Sequence, residues 1–360
     1  MLKRGQSDLT STMRAAVYRG KDRVRVERVP IPALKAGEVL VKIAACGVCH
    51  TDLKKVHYGL LPPPRVFGHE MAGTIVEVGK GVRRWRKGDR VAVYHHIPCR
   101  RCFYCVRGEY AQCPQYKRTG TLAAFEPAGG GFAEYIRVLP WIVNEGGMIR
   151  IPQNVSFEEA AFIEPVNTCL KGVDRLRLRK GDRVAIFGQG PIGLLFTQLV
   201  RARGAVAFGF DLLGARRRLS TKLGAAWSAD PRSPSVEAQL KKFTQGRGAD
   251  AAILAVPSEA AFAQALKMVR SGGQVLLFAH TKKGDMLSVD AGTVCVDEKT
   301  VLGSYSASVD VSAEAARLVF SRKVKVAPLI SHRFPLEKIE RAFDLAAHPT
   351  PQSLKIMVVP

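Results

Sequence analysis

Residues 183–211 read R-V-A-I-F-G-Q-G-P-I-G-L-L-F-T-Q-L-V-R-A-R-G-A-V-A-F-G-F-D. The apolar run at 183–187 predicts a buried strand. Gly188, Gly190 and Gly193 follow at once, with Gln189, Pro191 and Ile192 between them, and a helical stretch then runs to residue 201. Glycine at these places allows a tight turn and lets a pyrophosphate approach the backbone, while the helix start offers unpaired amides to it. Pro191 costs nothing there, because its missing N–H would be an orphan in the first turn anyway. A second strand ends at Asp211, 18 residues beyond Gly193. Its carboxylate can accept hydrogen bonds from ribose hydroxyls and repels a 2′-phosphate. A lone G-x-G-x-x-G is weak, but strand, turn, helix, strand and acid in this order predict a dinucleotide-binding unit with NAD ahead of NADP.

Around this unit the pattern continues as a doubly wound α/β domain. Residues 249–256, 273–279 and 300–303 read as further parallel strands, with a helix at 258–269. Before it, from residue 13 to about 90, the chain is rich in β-branched runs bounded by Gly or Pro, such as 39–45 and 73–78. A chain of 360 residues that is 47% hydrophobic buries enough surface for two domains. No apolar run reaches the roughly 18 residues of a membrane span. Residues 1–12 are polar, lack a signal-peptide core and read as a flexible tail, so a cytoplasmic protein is expected. The formal charge of +24 is scattered in short basic clusters such as Arg216 to Arg218 and reads as a solvated surface; it names no partner.

Two groups of residues carry metal chemistry. C-G-V-C-H-T-D at residues 46–52 and G-H-E at 68–70 supply Cys49, His69 and Glu70, a thiolate, an imidazole and a carboxylate that together suit zinc. Thr51 adds a hydroxyl for proton transfer and Asp52 a carboxylate to support a ligand. Cys46 is expected to be a small buried hydrophobe. The second group is Cys99, Cys102, Cys105 and Cys113, four cysteines within fifteen positions that can close one tetrahedral thiolate site. Disulfides are the competing reading, and no secretory signal supports them.

These motifs together resemble the zinc-containing medium-chain alcohol dehydrogenases, and the resemblance covers nearly the whole chain from Met13 onward. It implies a GroES-like β-rich catalytic domain at 13–165 and 306–360, with a structural-zinc lobe at about 95–115, and a Rossmann domain at 166–305. It implies two zinc ions per chain, one catalytic at Cys49 and one structural at the four-cysteine lobe. A-A-F-I-E-P at residues 160–165 places Glu164 where the family carries a further zinc-site residue, so Glu70 and Glu164 compete for one ligand position. Classical members have cysteine there, and Glu-Pro is similar to the sorbitol, glucose and threonine dehydrogenase branch. A glutamate near a helix start is the structural alternative, favoured by the helix dipole. The family usually has glycine at Arg100 and a relay histidine at Lys54, so both are departures; Lys54, His57 or water could complete the outer relay.

The resemblance further implies that Asp52 orients His69 and that Thr51 passes a proton outward. It carries His50, Phe278 and His280 to the cofactor, and Arg216 to the adenosine, while Arg217 and Arg218 could tolerate a phosphate. The reaction implied is reversible oxidation of a secondary alcohol, with a polyol, sugar or related hydroxy compound as the small-molecule substrate, in a homo-oligomer. A reductase running with NADP is the rival. A basic nucleic-acid-binding zinc protein is the remote alternative, and it leaves Asp211, the glycine turn and the G-H-E motif without a role.

Overall fold

The computed structural model describes residues 11–279 and 284–360. The chain divides into two compact units. One holds the sequence up to Ala161 together with His332–His348 and Ile356–Pro360; the other holds Phe162–Ser331 and Pro349–Lys355. Among the described residues, no helix is long and apolar enough to cross a membrane.

The first unit is built on antiparallel strands. Val39–Gly47, rich in β-branched and small residues, pairs with Glu70–Val78, Tyr135–Val138 and Lys355–Val359. Thr12–Gly20 pairs with Arg23–Pro30 and Arg65–Val66 in a smaller sheet. Thr12 is thus already strand, one residue inside the stretch expected to be tail. Cys46 is fully buried in the central strand. A Cβ on Gly68 or Gly131 would come within 2.9 or 2.6 Å of its sulfur, so the thiol packs against bare backbone as a small apolar group.

The second unit is a six-stranded parallel sheet in the order Trp227–Ala229, Val206–Phe210, Arg183–Phe187, Ala249–Leu254, Val269–Leu277, Thr300–Gly303. Numbered along the chain this is 3-2-1-4-5-6, the doubly wound arrangement, whose direction reverses beside Arg183–Phe187. Phe187, Phe208, Phe210, Leu254 and Val275 pack together on one face of it.

The sequence reading placed the return to the first domain at residue 306, whereas the second unit runs on to Ser331. Side-chain amides explain the difference. Asn167 donates through Nδ2 to Ser308 O (2.8 Å) and accepts from Ser308 N (2.7 Å). Gln198 accepts from Lys325 N (2.7 Å). These bonds tie the segment around the helix Ser312–Phe320 to the helices Ile163–Arg175 and Pro191–Ala202.

The sequence K-G-D-R-V-A occurs at residues 87–92 and again at 180–185, one device used twice. Gly88 and Gly181 both take positive φ (92° and 87°). Asp89 and Asp182 then accept the amides of Arg86 (2.9 Å) and Arg179 (2.8 Å), closing a turn that feeds a strand in each unit.

Candidate metal centres and dinucleotide turn

In the first unit Cys49 caps the helix His50–His57 and accepts the Thr51 amide at 3.5 Å. His69 and Glu70 stand where the loop after Arg65–Val66 enters the strand Glu70–Val78. A thiolate, an imidazole nitrogen and a carboxylate oxygen from these three residues all lie within 4.8 Å of one another. His69 and Glu70 are buried and Cys49 is half-buried. Asp52, fully buried, faces His69 Nδ1 through Oδ1 at 3.1 Å, with Lys55 Nζ 3.9 Å from the same oxygen. That contact fixes the ring and leaves its Nε2 to a metal.

The electrostatics of the cluster suit a cation. Burial pushes the Asp52 carboxyl up, but His69, Lys55 and the Gly68 amide outweigh it and hold it below its ordinary value. Burial also opposes charge on His69, yet Asp52 and Cys49 drive its pKa well above the usual value. A pocket that draws a proton onto its own imidazole carries surplus negative charge, which a bound divalent ion would neutralise instead.

Two residues passed over in the sequence reading stand beside this cluster. The His95 ring lies 5.0 Å from His69, and His96 lies 3.8 Å from His95 and 5.1 Å from Tyr116. Burial pushes both imidazoles down, His95 far down and His96 to about 3. The His-His doublet just before Cys99 was the available signal. Of the relay candidates, His57 is exposed and faces Asp22 Oδ1 at 3.0 Å. Thr51 and His50 are exposed at the helix start.

The four lobe cysteines also bring their sulfurs within 4.8 Å of one another. The Cys102–Cys105 and Cys99–Cys113 sulfurs are each 3.6 Å apart. Tetrahedral zinc with Zn–S of about 2.3 Å needs about 3.8 Å between sulfurs, so the cage already has nearly the required size. The amides of Arg101 and Cys102 bring the Cys99 thiol down to about 6, while burial pushes Cys105 up to about 12. Against burial, the amides of Cys99 and Tyr116 lower Cys113. Arg100, in place of the family's glycine, adopts a left-handed φ of 61°. Its amide still offsets part of the rise at Cys105, and its side chain donates to Glu145 O at 2.9 Å.

In the second unit the glycine turn stands at the carboxyl end of Arg183–Phe187. Gly188 has φ 89°, and a Cβ on Gly193 would lie 1.7 Å from Gly188 O, so helix and strand can meet only without a side chain there. A Cβ on Gly190 would meet only Arg216 Nη1, at 3.8 Å, which leaves a cradle over the helix that starts at Pro191. Asp211 Oδ2 accepts the Gln189 amide (2.7 Å) and Oδ1 the Leu213 amide (2.8 Å), so the acid is anchored at the turn. Phe278 packs edge-on against Phe196, and His280 lies outside the described residues. Glu164 is in the first turn of the helix Ile163–Arg175, where Thr168 Oγ1 stands 3.4 Å from its Oε1.

A doubly wound sheet with a dinucleotide turn, in a chain whose other unit carries a mixed-ligand metal cluster, defines a metal-dependent oxidoreductase that uses a nicotinamide cofactor. Residues 35–152 match the alcohol dehydrogenase GroES-like domain, and residues 191–321 match the zinc-binding dehydrogenase domain. Sorbitol dehydrogenase of Bacillus subtilis (strain 168) is 30% identical over 97% of this chain and 97% of its own length. Alcohol dehydrogenase of Geobacillus stearothermophilus is 32% identical over 92% and 94%. A solved structure of a zinc-binding dehydrogenase from Sinorhizobium meliloti 1021, bound to NADP, superposes with a TM-score of 0.86 at 31% identity, covering 98% of this chain and 100% of that one. The chain therefore belongs to the zinc-binding alcohol dehydrogenase family, and it is a zinc-dependent alcohol oxidoreductase.

Proposed function

We propose that this chain reversibly oxidises a secondary hydroxyl of a polyol, sugar or related hydroxy compound with NAD, using zinc held by Cys49, His69 and a carboxylate. The observation that carries the proposal is the convergence of Cys49, His69 and Glu70 with Asp52 set against His69 Nδ1. When bound, zinc supplies Lewis-acid polarisation of an alcohol oxygen, and nicotinamide supplies the hydride acceptor. Asp52 holds the His69 tautomer that coordinates through Nε2. Thr51, exposed at the helix start, takes the substrate proton outward. A catalytic site keeps one position open, so Glu70 and Glu164 share the remaining place. Glu70 would be the exchangeable ligand, and Glu164 would bind directly or through water.

A hard, carboxylate-bearing site suits substrates that chelate through two oxygens, and the sorbitol dehydrogenase relative supports polyols. The lobe cysteines hold the second zinc of the chain. Four ligand thiols call for a reducing compartment, which is the basis for placing the protein in the cytoplasm. Asp211 takes the ribose hydroxyls, Arg216 covers the adenosine, and His50 and Phe278 line the cofactor. Thr300–Gly303 ends the parallel sheet as an edge strand and exposes Val301, with Tyr305 close behind, so a second copy of the chain pairs there as a homo-oligomer.

The test is a substrate panel of polyols, aldoses, hydroxy amino acids and simple alcohols, read by NADH formation. Vicinal polyols are expected to give the highest kcat/KM, and a clear preference for ethanol would sink the polyol reading. Glu70→Gln and Glu164→Gln, each assayed for bound zinc and turnover, test the shared ligand place. If Glu164→Gln changes neither, Glu164 is a helix-end carboxylate only. The second reading, carbonyl reduction with NADP, is favoured by the NADP in the Sinorhizobium meliloti structure.

A further inference from the structure

The positive charge of the chain is not evenly placed. Residues 78–108 hold nine lysines and arginines against one acid, Asp89, a third of the surplus of +24 in under a tenth of the length. The function proposed above uses none of these side chains.

The run begins with a turn in the first unit. Between the strands Glu70–Val78 and Arg90–Val93 it exposes Lys80, Arg83, Arg84, Arg86 and Lys87. Trp85, in their midst, is buried and donates through Nε1 to Val143 O (3.4 Å), in the helix Pro140–Asn144. Its ring carries two guanidinium groups, Arg84 at 5.5 Å and Arg150 at 5.2 Å from the centroid. Attraction to the indole offsets the repulsion between these two like charges. Arg100 joins them from the lobe, donating to Glu145 O one residue past the same helix. Of the acids nearby, Asp89 is engaged by Arg150 and by the Arg86 amide, while Glu109 and Glu145 are exposed. Arg83, Arg84 and Lys87 make no ion pair among the described residues.

Three residues beyond Arg100 the lobe turns aromatic rings outward. Phe103 and Tyr104, in the short helix Phe103–Val106, are 62% and 39% exposed and meet edge to face at 5.5 Å. Arg107 lies 3.7 Å over the Phe103 ring. A solvated basic surface needs no exposed rings, and an apolar contact needs no surplus of cations. Together they match a ligand with repeated negative charge and flat apolar faces, which is the chemistry of single-stranded nucleic acid. A duplex keeps its base faces stacked inside, and a bilayer would have to take the Arg107 guanidinium down with the Phe103 ring. We propose that the turn at residues 80–87 and the lobe face bearing Phe103 and Tyr104 form a surface for single-stranded nucleic acid, without sequence preference. Arginines take the phosphates there, and the two rings take bases.

Fluorescence anisotropy of a labelled single strand of about 15 nucleotides, titrated with the full chain, tests this. Four engaged phosphates predict an affinity that falls about fiftyfold between about 50 and 200 mM salt. Changing Arg83, Arg84, Arg86 and Lys87 together to Ala is expected to weaken binding at least about tenfold at the lower salt and to flatten the salt dependence. Phe103→Ala combined with Tyr104→Ala is expected to weaken the single strand about tenfold and a duplex of the same length less than about twofold. Changing Lys241, Lys242, Lys323 and Lys325, exposed lysines of the second unit, to Ala removes the same charge and is expected to cost less than about threefold. The substituted side chains are exposed, so unchanged melting temperatures confirm that each variant is folded. No binding by the wild-type chain at the lower salt overturns the proposal. So does an equal loss in the second-unit variant, which would mean that net charge alone holds the strand, or an unchanged affinity in the aromatic variant. Phosphatidylserine vesicles that bind the wild type and depend as strongly on Phe103 and Tyr104 would make this a lipid surface and overturn it too.

Discussion

The two cysteine-bearing sites of the first unit are built on opposite principles. The lobe takes all four of its cysteines from fifteen consecutive positions, and its small core is little more than these cysteines with Ala111 and Tyr116. Cys49, His69 and Glu70 come instead from a helix cap and the start of a strand, positions fixed by a large sheet and by a buried Asp52. In the proposed reading the lobe would need its metal in order to have a shape, whereas the other cluster has its shape from the sheet and would need the metal for chemistry.

Exchanging one ligand in each site separates these roles. Cys49→Ser is expected to lower turnover about a thousandfold, several kcal/mol of lost polarisation, with circular dichroism and melting temperature nearly unchanged. Cys102→Ser is expected to lower the melting temperature by roughly 10 °C, on the order of 3 to 5 kcal/mol, with the surviving folded fraction still active. If the two variants exchanged these phenotypes, the contrast would be reversed.

Asp52→Asn probes what the scaffold gives the catalytic cluster. Loss of the carboxylate on His69 is expected to cost about ten- to a hundredfold in zinc affinity or kcat. Zinc retention measured against a graded chelator checks it, and unchanged retention and turnover would mean that the sheet alone orients the ring.

The row of neighbouring rings His69–His95–His96–Tyr116 gives a pH signature. Burial first, then Lys55, holds His96 at about 3, below its ordinary 6.5, so the unfolded chain binds the proton more readily. The stability this represents is present above pH 6.5 and is lost as the pH falls from there toward 3, at up to about 1.4 kcal/mol per pH unit. Melting curves between pH 7.5 and 5 are expected to fall, and His96→Gln to fall less steeply. Equal slopes would place the titrating group elsewhere.

The smallest effect concerns Arg100. A left-handed φ costs a non-glycine residue about 1 kcal/mol or more, so Arg100→Gly is expected to stabilise the lobe by about 1 kcal/mol, less whatever the bond to Glu145 O returns. Zinc release by a chelator, slower than in the wild type, reads this out. Faster release would show that the side-chain bond outweighs the strain.

What could be read from the sequence follows the same division. Cys99, Cys102, Cys105 and Cys113 are near neighbours in the chain, so their spacing alone indicated one cage. The glycine turn and Asp211 were legible because strand, turn and helix follow one another directly. Cys49 and His69 are twenty residues apart, and ligand chemistry and the resemblance, not spacing, joined them. The placement of the His95 ring beside His69 depends on how the sheet brings separate segments together; the His-His doublet marks the residues but not this contact. The left-handed turn at Arg100 hides behind a residue that ordinarily avoids it. The boundary near Ser331 depends on Asn167 and Gln198 meeting partners more than a hundred residues away.

The most direct test of the account is where zinc sits. A crystal of the purified chain, measured on both sides of the zinc absorption edge, is expected to show two anomalous peaks per chain. One would lie among Cys49, His69 and Glu70, and the other among the four lobe sulfurs. A peak at the lobe alone, in a preparation that still oxidises alcohols at full rate, would contradict the assignment of catalysis to a zinc held by Cys49 and His69.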